Sequence, residues 1–121
     1  MVVMNLTKIQ LDGLQEWVAG LPKVTSAPHR FGGVEFRVDG QEFMHFHGQT
    51  HLDIRLSKQH QAQVLTSGKA ETHLYAPEAG WVTVRIKSTE DIDNAKEIIE
   101  LAYSHAASVL EHHRSRRSRP K

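Results

Sequence analysis

Nine histidines are spread along 121 residues, and five of them, His29, His45, His47, His51 and His73, fall in or beside segments that read as strands. The sharpest spacing is His45-Phe46-His47. Alternate residues of a strand project to one face, so these two rings stand on the same side, about 7 Å apart along the chain by strand rise. Two imidazoles so placed need another donor from a neighbouring strand to hold a first-row divalent ion such as Zn²⁺ or Fe²⁺. His73, or a carboxylate from Asp53, Glu35 or Glu42, would supply it. Without metal, the same group offers a general base and a hydrogen bond to a bound small molecule, because imidazole changes charge near neutral pH. Histidines also sit at half-buried sheet positions with purely structural bonds. Metal site, metal-free pocket and structural cluster therefore stand as three readings, and an enzymatic role is left open.

Other residue groups exclude or add chemistry. The chain has no cysteine, so disulfides, thiolate nucleophiles and Cys-based zinc sites are ruled out. Arg30-Phe31-Gly32-Gly33 either lets backbone approach a ligand, with Arg30 receiving an anion, or simply bends the chain before a strand. It lacks the Lys-Ser/Thr ending of a phosphate loop and opens no helix. Trp81 follows Gly80 and reads as core or rim packing rather than a stacking platform. No nucleophile elbow is present.

The elements that must position these residues follow from periodicity. Residues 7–21 read as a helix: Leu11, Leu14, Val18 and Leu21 recur at helical spacing, and Thr7 with Gln10 suggests a capping box. A short strand is expected near Val24–Ala27. Asp39-Gly40, between alternating runs, marks a two-residue hairpin turn. The simple register pairs Val38 with Gln41, Arg37 with Glu42, Phe36 with Phe43, Glu35 with Met44 and Val34 with His45. It places His45 and His47 on the Val34/Phe36/Phe43 face. Residues 51–56 alternate strictly, with Leu52, Ile54 and Leu56 on one face and His51, Asp53 and Arg55 on the other. Ser57 and Gly68 bracket a short helix. Strands are expected at 70–75 and 81–86, separated by the turn Pro77-Glu78-Ala79-Gly80. Ser88, followed by Glu90 and Asp91, opens a long helix whose buried stripe includes Ile92, Ala95, Ile98, Ile99, Ala102, Ala106 and Val109. This order predicts a two-layer α+β domain, an antiparallel sheet with an N-terminal helix, a short middle helix and a long C-terminal helix. Strand order is not readable.

Length and composition agree with one domain: 39% of residues are hydrophobic and 24% charged. The net charge of +1 is uneven. Arg114, Arg116, Arg117, Arg119 and Lys121 give residues 112–121 a charge of +5, which leaves ten basic and fourteen acidic residues in 1–111. The reading is a single domain over 1–111 and a basic, disordered tail over 112–121. A nucleic-acid arm is the alternative for the tail, and with it a non-catalytic interaction module binding protein or nucleic acid is the alternative function; the acidic body opposes phosphate binding. No apolar run nears the roughly 20 residues of a membrane span, and no signal-peptide pattern opens the chain. A soluble, cytoplasmic protein is expected, with a small molecule as the favoured partner and homo-oligomerisation left open.

Taken together, Arg30-Phe31-Gly32-Gly33-Val34-Glu35-Phe36, Glu42 with His45-x-His47-Gly48, Asp53, Gly68-x-Ala70-x-x-His73, and Pro77-x-x-Gly80-Trp81-Val82 followed by the helix bearing Tyr103 resemble the small luciferase-domain family of bacteria and fungi. The resemblance covers about residues 24–106. It implies that Arg30, Glu35, Glu42, His45, His47, Asp53, His73 and Trp81 fill the positions characteristic of that family. It does not imply light emission. On architecture alone, a Trp-Val-Thr-Val strand leading into a long helix is also similar to the YjbR-like α+β proteins. The site expected from the residues and the resemblance has His45, His47 and His73 as metal ligands, with Arg30, Glu35, Glu42, Asp53 and Trp81 around a bound small molecule.

Overall fold

The computed structural model describes residues 3–29, 32–48, 51–73 and 76–118, with side chains from 8 to 108 within those spans. The chain runs α1 (Val3–Ala19), β1 (Val24–Pro28), β2 (Val34–Val38), β3 (Gln41–His47), β4 (His51–Arg55), α2 (Lys58–Thr66), β5 (Glu71–Thr72), β6 (Trp81–Arg85) and α3 (Thr89–Ser118). The six strands form one sheet in the order β1-β2-β3-β4-β6-β5, and every pairing is antiparallel. This is the α+β architecture expected from the order of elements.

Alternation gives the sheet two unlike faces. Phe36, Met44, Ile54 and Val82 are register partners across β2, β3, β4 and β6. All four are buried, together with Leu11, Leu14 and Val18 of α1 and Ile98, Ile99 and Ala102 of α3. That stripe is the reason α1 and α3 dock on this side: each helix buries an apolar face that has no other partner. Tyr103 packs edge-on against Phe43 with ring centroids 5.8 Å apart, and its hydroxyl donates to the Pro22 carbonyl at 2.7 Å.

Local signals explain the ends of the elements. Ser57 caps α2 by accepting the His60 amide at 3.1 Å, and Gly68 follows that helix in the left-handed region. Asp91, in the first turn of α3, reaches back to accept the amides of Lys87 and Ser88. The expected Thr7–Gln10 capping box is not formed, because α1 begins at Val3 and Thr7 lies inside it. Gln10 instead donates to Thr89 Oγ1 at 2.9 Å and ties α1 to the start of α3. The strand expected over 70–75 is short: β5 holds Glu71 and Thr72, and His73 lies just beyond it. Helix α3 continues in its backbone to Ser118 and so takes in most of the basic segment.

The main correction concerns the hairpin. Val38 pairs with Gln41 and Arg37 with Glu42, as the Asp-Gly turn dictates. The next pair is then Phe36 with Met44, followed by Glu35 with His45 and Val34 with Phe46. Phe43 is an extra residue in β3, a β-bulge, and every side chain beyond it is moved to the opposite face from that of the simple register. His45 and His47 therefore share a face with Glu35, not with Val34 and Phe36.

Candidate functional site

On the side away from α1 and α3, one row of side chains crosses the sheet: Glu35 on β2, His45 on β3, Asp53 on β4 and Thr83 on β6. These are four of the five buried polar or charged side chains among the described residues, the fifth being Gln61. Burying ionisable groups is costly unless they are paired and hydrogen-bonded. Here the pairing is complete enough to define a centre.

Asp53 stands at that centre. Its Oδ1 accepts the Thr83 hydroxyl at 2.8 Å. Its Oδ2 meets three imidazole nitrogens: His47 Nε2 at 2.8 Å, His45 Nε2 at 2.9 Å and His73 Nε2 at 3.3 Å. His45 is held from its other side by Glu42, whose carboxylate lies 3.0 Å from Nδ1. His29 stacks on the His45 ring with centroids 4.2 Å apart, and its Nε2 lies 3.8 Å from Glu42. His47 in turn stacks on His51 at 4.9 Å.

The rings are not equivalent in charge. Burial disfavours protonation of His45, but its hydrogen bonds to Asp53 and Glu42, and their negative charges, outweigh burial and lift its pKa to about 9. Burial pushes Asp53 up, yet the bonds from His45 and Thr83 and the nearby His45 and His73 rings hold it well below the usual carboxylate range. Glu42 is lowered likewise: burial is outweighed by the His45 bond and by the neighbouring positive charges. His29 is lowered by burial and by the His45 charge. His51 is lowered by burial, with His47, Arg85 and His45 adding to the effect. Of His29, His45 and His51, only the ring between two carboxylates is pushed toward the charged form.

Hydrogen bonding also separates His73 from its neighbours. The Ala76 amide donates to His73 Nδ1 at 2.9 Å, so that nitrogen is bare and the ring proton sits on Nε2, facing Asp53. A metal at His73 Nε2 would require that amide bond to break. His45 is suited to the opposite role, because Nδ1–H can donate to Glu42 while Nε2 loses its proton to a metal.

Two groups of donors have their ligand atoms within 4.8 Å of one another: His45, His47 and Asp53, and His29, Glu42 and His45. They line a concave hollow of about 910 Å³, whose walls also include Trp81, Thr72, Ala76, His51, Glu71 and Arg85. Its mouth carries the Arg85–Glu71 ion pair, 2.9 Å long. Gln61 steadies one wall by donating to the carbonyls of Pro77 and Trp81.

Of the residues singled out in the sequence, the structure brings together His45, His47, His73, Asp53, Glu42 and Trp81. Glu35 neighbours His45 across the strands but is engaged by the Arg37 guanidinium and does not line the hollow. Arg30 lies outside the described residues. Sequence reasoning assigned no role to Thr83 or His29. Thr83 was legible, because it is the outward residue of Trp81-Val82-Thr83-Val84 between two apolar neighbours. His29 directly follows β1, and nothing local announces that it reaches β3.

Comparison with curated proteins and with solved structures gives no match. The family model described as Luciferase domain matches residues 40–102. That span exceeds half of the chain and contains Glu42, His45, His47, Asp53, His73, Trp81 and Thr83, so the carboxylate and the histidines that meet it lie within the matched region, and the chain belongs to the luciferase-domain family.

Proposed function

We propose that this domain binds a first-row divalent metal through His45 Nε2, His47 Nε2 and a carboxylate oxygen of Asp53, and presents the ion's remaining positions to a small molecule in the hollow. The observation that carries this reading is the convergence of imidazole Nε2 atoms, 2.8 and 2.9 Å from one carboxylate oxygen. Two imidazoles and a carboxylate are a donor set for Zn²⁺, Fe²⁺ or Mn²⁺ that leaves coordination open. Around them stands the usual outer support of a metal site. Glu42 accepts from His45 Nδ1, Thr83 donates to the second oxygen of Asp53, and His73 Nε2 lies 3.3 Å from Asp53 Oδ2. An ion held this way would polarise a bound carbonyl or phosphoryl oxygen, or lower the pKa of a bound water.

The competing reading keeps the proton on His45 and uses the hollow as a metal-free pocket. Titrating purified, tag-free protein with Zn²⁺, Mn²⁺ and Fe²⁺ separates the two. Ion at a hundred times its Kd adds about 2.7 kcal/mol, enough to raise Tm by several degrees in a domain of this size. The gain should fall in His47→Ala and Asp53→Asn. No gain with any of the three ions, and no metal retained after dialysis, would remove the metal reading.

A further inference from the structure

His45 is shared by the two donor groups, and it faces them with different nitrogens. Nε2 points to Asp53 and His47, and Nδ1 points to Glu42, 3.0 Å away, with His29 Nε2 3.8 Å from the same carboxylate oxygen. The ligand atoms of the His29, Glu42 and His45 group all lie within 4.8 Å of one another, the same closeness as in the first group. His29 is held where it is needed. Its amide donates to the Gly33 carbonyl at 3.1 Å, and the Gly32 amide returns to the His29 carbonyl at 2.9 Å, closing the loop that carries it. Gly33 is itself pressed against β3 between the two site histidines: a Cβ there would stand 1.8 Å from the Phe46 carbonyl oxygen.

We infer that His29, Glu42 and Nδ1 of His45 form a second site for a first-row cation, joined to the first through the single His45 imidazole. This rests on the first-site reading given above. With both sites filled, His45 would offer Nε2 to the first ion and Nδ1 to the second, each in place of a ring proton that passes to solvent. No electron is transferred. A dication on each nitrogen replaces the ring protons that the two carboxylates otherwise hold. Glu42 then changes from hydrogen-bond acceptor to ligand, and the stacked His29 supplies the third donor.

The test counts metal. Tag-free protein carrying His112→Ala and His113→Ala, which removes the adjacent histidine pair near the C-terminus, is dialysed against Zn²⁺ or Cu²⁺, and bound metal is measured per chain. Two equivalents are expected, falling to one in His29→Ala and in His29→Gln. The conservative variant guards against a folding defect, and thermal melts check both. The copper-loaded protein should show a magnetically coupled pair, replaced by an uncoupled Cu²⁺ signal in His29→Gln. One equivalent that is insensitive to His29 but lost in Asp53→Asn would overturn the second site and leave the first standing. No bound metal would overturn both. Two equivalents unaffected by His29, or two uncoupled coppers, would overturn the shared imidazole.

Discussion

At the scale of single residues, His45 carries most of the argument, because both of its nitrogens face carboxylates. Its folded pKa of about 9 stands above the unfolded value of 6.5. A group raised on folding adds stability that is fully present below the unfolded pKa and is lost as pH rises through the folded one. For His45 that contribution is roughly 3 kcal/mol below pH 6.5, disappearing by about pH 9 to 10. Asp53 and Glu42 are lowered, so their contributions are present at neutral pH and fail only in acid. His29, His51 and His105 are lowered too and oppose folding as pH drops below 6.5, so a single pH–stability curve mixes signs. The difference between wild type and His45→Gln isolates the term. Measured in chelator, the wild-type advantage in Tm should be largest near pH 6 and shrink steadily toward pH 9.5. A gap that stays constant or widens over that range would mean that His45 is not held as the imidazolium. Metal should bind more tightly as pH rises over the same window, since the ion must displace the Nε2 proton.

At the scale of elements, what matters is how two close backbone approaches and one bulge aim the side chains. Gly33 has φ +85° and its Cα faces the Phe46 carbonyl; Gly80 has φ +95° and faces the Leu56 carbonyl, which a Cβ would approach to 2.1 Å. Each glycine lets a loop lie flat against a strand, the first beside His45 and His47, the second just before Trp81. Gly33→Ala combines a left-handed backbone with a clash against main chain that cannot swing aside. It should cost about 2 kcal/mol or more in urea unfolding. It should also weaken metal uptake at the His29 side before the Asp53 side. A fully stable Gly33→Ala would show that the loop is not pinned as described.

The same elements show where the sequence was legible. The hairpin turn, β4, both caps of α2 and the stripe of α3 from Ile92 to Ala106 followed from turn chemistry and periodicity, which are local; the side chain of Val109 lies outside the described residues. The face of His45 did not, because an Asp-Gly turn fixes register only until a bulge intervenes. Even so, a warning was present. The simple register sets Met44 against Glu35 and His45 against Val34, apolar against polar twice in succession. Skipping Phe43 repairs both mismatches, giving Phe36 with Met44 and Glu35 with His45. The meeting of His73 and His29 with the strand histidines depends on strand order and loop path, which leave no periodic trace.

At the scale of the whole molecule, the domain divides its labour between two sides of one sheet. One side is an apolar core shared with α1 and α3. The other holds the charged row and the hollow, close to the two-residue edge strand β5 (Glu71–Thr72) and to His73 and Ala76 after it. None of the described core lies beyond Ala106, and the site draws nothing from α3. Among the described residues, no helix is long and apolar enough to cross a membrane. The side chains of the basic segment at 112–121 lie outside the described residues, so its independence from core and site is an expectation drawn from the sequence. If that segment adds no packing, a chain ending at residue 111 should melt within a degree or two of the full chain. It should keep the metal-dependent gain in Tm that His47→Ala lowers. If the segment serves as a nucleic-acid arm, the full chain should bind a duplex with an affinity that falls steeply between 50 and 200 mM salt, as about five neutralised phosphates require. The acidic body argues for weak binding even at low salt. Loss of the metal response on truncation would instead place part of the metal-binding chemistry in His112 and His113, and would remove Asp53 from its centre.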